Sequence, residues 1–216
     1  MIADFGSGTL VTLHGLEAIV MKPLRYSEQN ISEDDIAAVV RVLRSDWLTQ
    51  GPEVERFEAA LCEYTGAKYA VAVSSGTAAL HLAMTAHADD TCQPVTSPLS
   101  FVASANAMLL ALQSDGEPGW SEVAFADVES ATGNVDFSTA KHAAVAGGYG
   151  LYVPVHYAGR AAKITTPKHW TIEDASHALG AMDFDGYSRV GSCANSLATC
   201  FSFHPSSRSR PEKAGL

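Results

Sequence analysis

The sequence predicts an α/β domain of three layers, with a mostly parallel sheet as the middle one. Two observations carry that expectation. Strand-like apolar runs alternate with helix-period segments along most of the chain, an order that produces parallel strands joined by crossovers. The apolar run Tyr69–Val73 also ends in Ser74-Ser75-Gly76-Thr77, which opens directly into a second apolar segment of helical length.

The elements follow in chain order. Ser32-Glu33-Asp34-Asp35 has the form of an N-cap with an acidic first turn, and Ile36, Val39, Val40 and Leu43 then line one helical face. Glu53–Tyr64 is predicted as a second helix with Phe57, Leu61 and Tyr64 inward and Gly66 just past its end. Tyr69–Val73 is predicted as a strand and Thr77–Ala86 as the helix after it. A short strand near Val95 precedes a helix over Ser100–Gln113. Glu122–Ala126, Leu151–His156, Thr171–Glu173 and Leu197–Phe203 are the remaining strand candidates. Between His156 and Thr171 only about a dozen residues are available for a parallel crossover. Thr165-Thr166-Pro167 disfavours a helix at their centre, so a short, irregular connection is expected.

Composition bounds the function. The 216 residues are 47% hydrophobic, enough for one sizeable core, and carry a net charge of −10. That charge argues against a nucleic-acid surface or an anionic membrane as partner. No apolar run reaches membrane-spanning length. Met1–Val20 is moderately apolar but contains Asp4 and Glu17 and lacks a basic start, so it makes a poor signal peptide. Residues 1–22 are read as an N-terminal extension, 23–205 as the domain and 206–216 as a separate tail. Cys62, Cys92, Cys193 and Cys200 show no Cys-x-x-Cys spacing, which points to reduced thiols, a cytoplasmic protein and no metal site.

Three clusters could carry chemistry. At Ser75-Gly76-Thr77, free amides and the helix dipole would face whatever sits above the turn, which suits a phosphate; the turn could equally be an ordinary strand–helix join. In Ile172–Gly180, Asp174 stands at the carboxyl end of a strand, where open α/β sheets bind ligands. It could hold a protonated heteroaromatic nitrogen, although by itself it reads first as a helix N-cap. Cys200-Phe201-Ser202-Phe203-His204-Pro205 closes the last strand. Phe101 is by default a core aromatic and could also be a platform for a flat ring.

Taken in order, these motifs resemble the DegT/DnrJ/EryC1/StrS family of sugar-nucleotide aminotransferases, of the aspartate-aminotransferase fold group. The resemblance runs from about Pro23 to Pro205. Tyr26–Ser32, Asp46–Pro52, Ser97–Asn106, Glu173–Gly180 and Val190–Pro205 are most similar to the branch of that family that works in pseudaminic acid synthesis. The resemblance implies the large domain of a pyridoxal 5′-phosphate (fold type I) enzyme. It implies that Ser75, Gly76 and Thr77 hold the cofactor phosphate with help from Ser202, and that Phe101 stacks on the pyridine ring. Asp174 would pair with the ring nitrogen, and His177 would bond near the ring hydroxyl. Tyr26, Asp46, Trp47, Leu48 and Thr49 match segments that contact the sugar nucleotide. The implied reaction moves an amino group from glutamate to a UDP-linked 4-keto-6-deoxy hexose, in a homodimer whose subunits share the site.

One departure is severe. The family continues His-Pro-x-Lys-x-Ile-Thr-Thr-Gly-Glu-Gly-Gly, and its lysine binds the cofactor covalently; here that position is Ser207. A hydroxyl cannot take that role, so the chain is expected to be inactive by itself. The next strand and the family's small domain are also not found in Ser206–Leu216. One possible coding of Val-Lys-Ser-Ile-Thr-Thr-Gly-Glu-Gly-Gly, read one base later, gives Ser-Ser-Arg-Ser-Arg-Pro-Glu-Lys-Ala-Gly, which is Ser206–Gly215. A frameshifted aminotransferase is therefore one reading, and a non-catalytic fragment with a basic tail (Arg208, Arg210, Lys213) the other.

Overall fold

The first three described helices each follow a serine or glycine N-cap. A computed structural model describes residues 31–87, 93–112, 123–139 and 150–204. Helix α1 (Glu33–Leu43) starts on a capping box: the Ser32 hydroxyl accepts the Asp35 amide at 3.2 Å, and the Asp35 carboxylate accepts the Ser32 amide at 2.8 Å. Helix α2 (Pro52–Thr65) has proline at its first position and ends on Gly66 at φ +82°, a conformation that favours glycine. Helix α3 covers Gly76–Thr85 and α4 Val102–Leu112.

Among the described residues, five strands follow the predicted order: β1 (Gln93–Thr96), β2 (Ala124–Phe125), β3 (Gly150–Val153), β4 (Ile172–Asp174) and β5 (Ala198–Cys200). β1 pairs with β2 on one side and β3 on the other, and β4 pairs with β5, all parallel. Bridges Tyr152↔Thr171 and Val155↔Asp174, also parallel, join the two groups into the order β2-β1-β3-β4-β5. The expected mostly parallel sheet is present.

The core sits between that sheet and the α3–α4 pair. Leu80 and Met84 of α3 meet Ala103, Ala107, Met108 and Ala111 of α4 over Leu151, Val153, Ile172 and Cys200. The alanines recur at i, i+4 and i+8, which keeps one side of α4 thin and lets it approach closely. The other covering layer is built largely from irregular segments. Val135 and Phe137 pack under Val95 and Ala126, and Ala175, Ala178 and Val190 form a second cluster with Phe201. The crossover after β3 is irregular as expected, with single 3-10 turns at Tyr157–Gly159 and Lys168–Trp170.

Two expectations need correction. Tyr69–Val73 forms no strand: it pairs with no other described segment, and Tyr69 and Val71 are 75% and 78% exposed. Strand propensity becomes a strand only against a partner edge. Phe57 is not inward but 40% exposed, its ring meeting Phe203 edge-on with centroids 4.9 Å apart. The apolar face of α1 is likewise open, with Ile36, Val39 and Leu43 all exposed. The boundaries at 22/23 and 205/206 lie outside the described residues.

Candidate functional site

The site begins where α3 begins. Ser75 is its N-cap in extended conformation, and its hydroxyl accepts the Ala78 amide at 3.1 Å. The amides of Gly76 and Thr77 stay outside the intrahelical ladder, at the positive end of the dipole. Gly76 sits in a tight approach. A Cβ there would stand 3.0 Å from the Ser202 Cβ and 3.4 Å from the Phe201 carbonyl oxygen. The helix mouth therefore abuts the exit of β5, and Ser202 lies beside it. A cleft of about 710 Å³ runs beside this corner between Tyr69–Gly76 and Leu197–His204; Thr77, Phe101, Asp174 and His177 do not line it.

Asp174 ends β4, opposite Cys200 of β5. Its side chain is buried, and every hydrogen bond to it comes from a neutral donor. Ser104 Oγ donates at 2.6 Å to Oδ2, and the Ser176 amide and hydroxyl donate to Oδ1 at 3.1 and 2.7 Å. Among the described residues no cation pairs with it. Buried carboxylates ordinarily carry a counter-charge. Three donors also fill only three of about four acceptor positions. The complement of this group is a cationic N–H. The neighbouring Cys200 supplies no charge: burial, then the Asp174 charge, push its thiol up to about 12, so it stays neutral. Cys62 and Cys193 are also free thiols, and Cys92 lies outside the described residues.

On the opposite side of β4 lies a pair the sequence reading missed. His156 Nε2 meets Glu173 Oε2 at 2.6 Å, and His156 Nδ1 accepts the Ala162 amide at 2.9 Å. With Nδ1 occupied as an acceptor, the ring proton sits on Nε2 and points at Glu173. Burial alone would raise the Glu173 carboxyl, but the donors His156, Ser196 and Thr199 outweigh it and hold the carboxyl below its ordinary range. The signal was available. Successive strand residues face opposite ways, so Glu173 and Asp174 could not share an environment. A histidine just past the end of the preceding parallel strand was its natural neighbour.

The other predicted residues are placed unevenly. Phe101 immediately precedes α4 and is 72% exposed, so it is not a core aromatic. His177 is half-buried in the turn after Asp174. Asp46, Trp47, Leu48 and Thr49 lie in the exposed loop between α1 and α2. Its amide at Trp47 bonds Ser45 Oγ, and no hydrogen bond or ring contact among the described residues joins it to Ser75, Asp174 or Ser202. Tyr26 and Ser207 lie outside the described residues. The candidate cradle is thus Ser75, Gly76, Thr77 and Ser202 at one corner, with Asp174 and Ser104 at the adjoining strand end.

Comparison with known proteins gives one consistent result. A family model described as the DegT/DnrJ/EryC1/StrS aminotransferase family matches residues 29–208. A UDP-4-amino-4,6-dideoxy-N-acetyl-beta-L-altrosamine transaminase from Campylobacter jejuni subsp. jejuni is 37% identical over 191 residues, covering 84% of this chain and 47% of that protein. The solved structure of Helicobacter pylori PseC, an aminotransferase involved in the biosynthesis of pseudoaminic acid, superposes with a TM-score of 0.71. It is 32% identical and covers 85% of this chain and 48% of its own. The PLP form of the putative sugar aminotransferase Spr1654 from Streptococcus pneumoniae shares the fold at 23% identity and a TM-score of 0.66, covering 84% of this chain and 49% of that one. The chain spans about half the length of the curated relatives it matches.

Proposed function

The chain belongs to the DegT/DnrJ/EryC1/StrS aminotransferase family, and from that premise we propose that it binds pyridoxal 5′-phosphate in the cradle between α3 and the ends of β4 and β5. The observation that carries this reading is Asp174, a buried carboxylate bonded only by neutral donors at a strand's carboxyl end. A pyridinium N–H supplies the missing counter-charge. The close approach of Gly76 to Ser202 is the second fit: a Cβ there would crowd the β5 exit at 3.0 Å, and glycine leaves that space open.

The cofactor, when bound, supplies a cationic ring that withdraws electrons from a substrate carbon. The chain's own residues then act as follows. The Gly76 and Thr77 amides and the Ser75 and Ser202 hydroxyls would hold the phosphate dianion. Asp174 would hold the proton on the ring nitrogen, and Ser104 and Ser176 hold the Asp174 side chain in place by hydrogen bonds. Phe101 would offer a flat face for stacking, and His177 would lie toward the cofactor hydroxyl. Asp46–Thr49, in the exposed loop between α1 and α2, and Tyr26 would meet a sugar nucleotide.

The substrates proposed are glutamate and a UDP-linked 4-keto-6-deoxy hexose, in a cytoplasmic homodimer. Support comes from the transaminase relatives and the resemblance of Asp46–Pro52. No described helix is long and apolar enough to cross a membrane. Because Ser207 stands at the attachment position, this chain would hold its cofactor without a covalent bond and would not turn over. The test is titration of the purified chain with pyridoxal phosphate, followed by borohydride reduction and mass mapping. Saturable binding near one equivalent, without fixation at one residue, is expected. No saturation at millimolar cofactor overturns the cradle; stoichiometric fixation with glutamate turnover overturns the role given to Ser207.

A further inference from the structure

Ser104 was not singled out by the sequence, yet it joins two parts of the proposed site. It is fully buried in the first turn of α4, three residues after Phe101. Its amide donates to the Phe101 carbonyl at 3.1 Å, and its hydroxyl donates to Asp174 Oδ2 at 2.6 Å. A hydroxyl at that distance from a carboxylate is a charge-assisted bond, the stronger class. Here it crosses seventy residues of chain, from α4 to β4.

We propose that Ser104 is a positioning residue that fixes the Asp174 carboxylate and the Phe101 platform relative to one another. The proposal rests on the cofactor reading above and deepens it. Asp174 has two oxygens. Ser176 binds Oδ1 from the same turn, so it moves with Asp174 and cannot set the rotation of the carboxylate against the rest of the fold. Among the described residues, only the Ser104 bond ties the group to another element. The same short turn carries Phe101, so the ring that would lie over the cofactor and the oxygen that would meet its nitrogen share one anchor. With Ser104 holding one lone pair of Oδ2, the remaining one is directed rather than free to rotate.

The alternative is that Ser104 merely tethers α4 to β4. The groups around Asp174 bear on telling these apart. Cys200 faces it from β5 with an un-ionised thiol, Glu173 and His156 are engaged with each other across the strand, and His177 follows in the same turn. None is a hydroxyl donor able to replace Ser104.

The probe is pyridoxamine 5′-phosphate, which needs no lysine. Its affinity for the whole chain and the ring-nitrogen 15N shift of the bound probe are measured for wild type, Ser104→Ala, Ser104→Cys, Ser104→Thr and Asp174→Asn. Inorganic phosphate is titrated in parallel. Ser104→Ala is expected to weaken the probe about tenfold and to move the 15N shift toward neutral pyridine. Ser104→Cys, a weak donor of similar size, gives a smaller loss and covers the case that alanine does not fold. Ser104→Thr restores both readouts, and phosphate affinity is unchanged throughout. A wild-type shift in Ser104→Ala and Ser104→Cys, with Asp174→Asn impaired, overturns the role of Ser104 and leaves the cofactor reading standing. Equal loss of phosphate affinity in the Ser104 variants shows a structural tether only. Failure of wild type to bind the probe, or an unaffected Asp174→Asn, overturns the cofactor reading and with it this proposal.

Discussion

Removing the His156 ring has a cost that can be worked from its two hydrogen bonds. In His156→Ala the bond from Nε2 to Glu173 disappears, and the buried Ala162 amide loses its acceptor. The first loss is a bond to a charged group, about 1.5–3 kcal/mol, and the second leaves a donor orphaned, about 1–3 kcal/mol. A destabilisation of about 4 kcal/mol is expected, which for a chain of this size lowers Tm by roughly 8–16 °C. His156→Gln, able to donate and accept, should recover part of it. The pH dependence has a definite sign. The folded Glu173 carboxyl lies below its unfolded range. Its stabilisation is therefore complete above about pH 4.3, the unfolded Glu value, and is lost as pH falls from there through the folded value. In His156→Ala a major donor is gone and burial gains weight, so the folded value rises toward the unfolded one and the acid loss should shrink. In Glu173→Gln that part of the dependence should vanish. Urea unfolding from pH 7 to pH 3 followed by circular dichroism reads both effects. A loss under about 1 kcal/mol at pH 7, with the acid limb unmoved, would refute the reasoning by showing that water or repacking replaces the pair.

Ser75→Ala removes the α3 cap and should cost about 1 kcal/mol in the same unfolding assay, with weaker inorganic phosphate binding; unchanged stability would mean that water replaces the cap. Gly76→Ala puts a Cβ at 3.0 Å from Ser202 Cβ, so phosphate binding should fall while the helix content by circular dichroism holds; tighter binding would show that the β5 exit gives way freely. Ser207→Lys places an amine at the position where the family keeps one, and borohydride reduction with pyridoxal phosphate should then fix one cofactor at residue 207; labelling scattered over Lys163 and Lys168 would count against the alignment of the tail.

The sequence by itself determined what depends on neighbours along the chain. Ser32 and Asp35 fixed the start of α1, Gly66 the end of α2, and Ser75-Gly76 the mouth of α3, because caps and left-handed turns are settled within a few residues. Alternation of elements fixed a parallel sheet, because crossovers of that length have few other solutions. Position at a strand end marked Asp174, whose residue type and place were both legible. Tertiary structure decided what depends on a partner. Tyr69–Val73 has strand composition but no described edge beside it, so it stays unpaired and exposed. Phe101 has a core residue's chemistry but lies just ahead of α4 on the open side. The partners of the two adjacent carboxylates were also out of reach. Glu173 and Asp174 are neighbours in sequence, and the pleat turns one to His156 and the other to Ser104, 17 and 70 residues away. Those pairings arise from strand register and helix docking, and no local pattern encodes either.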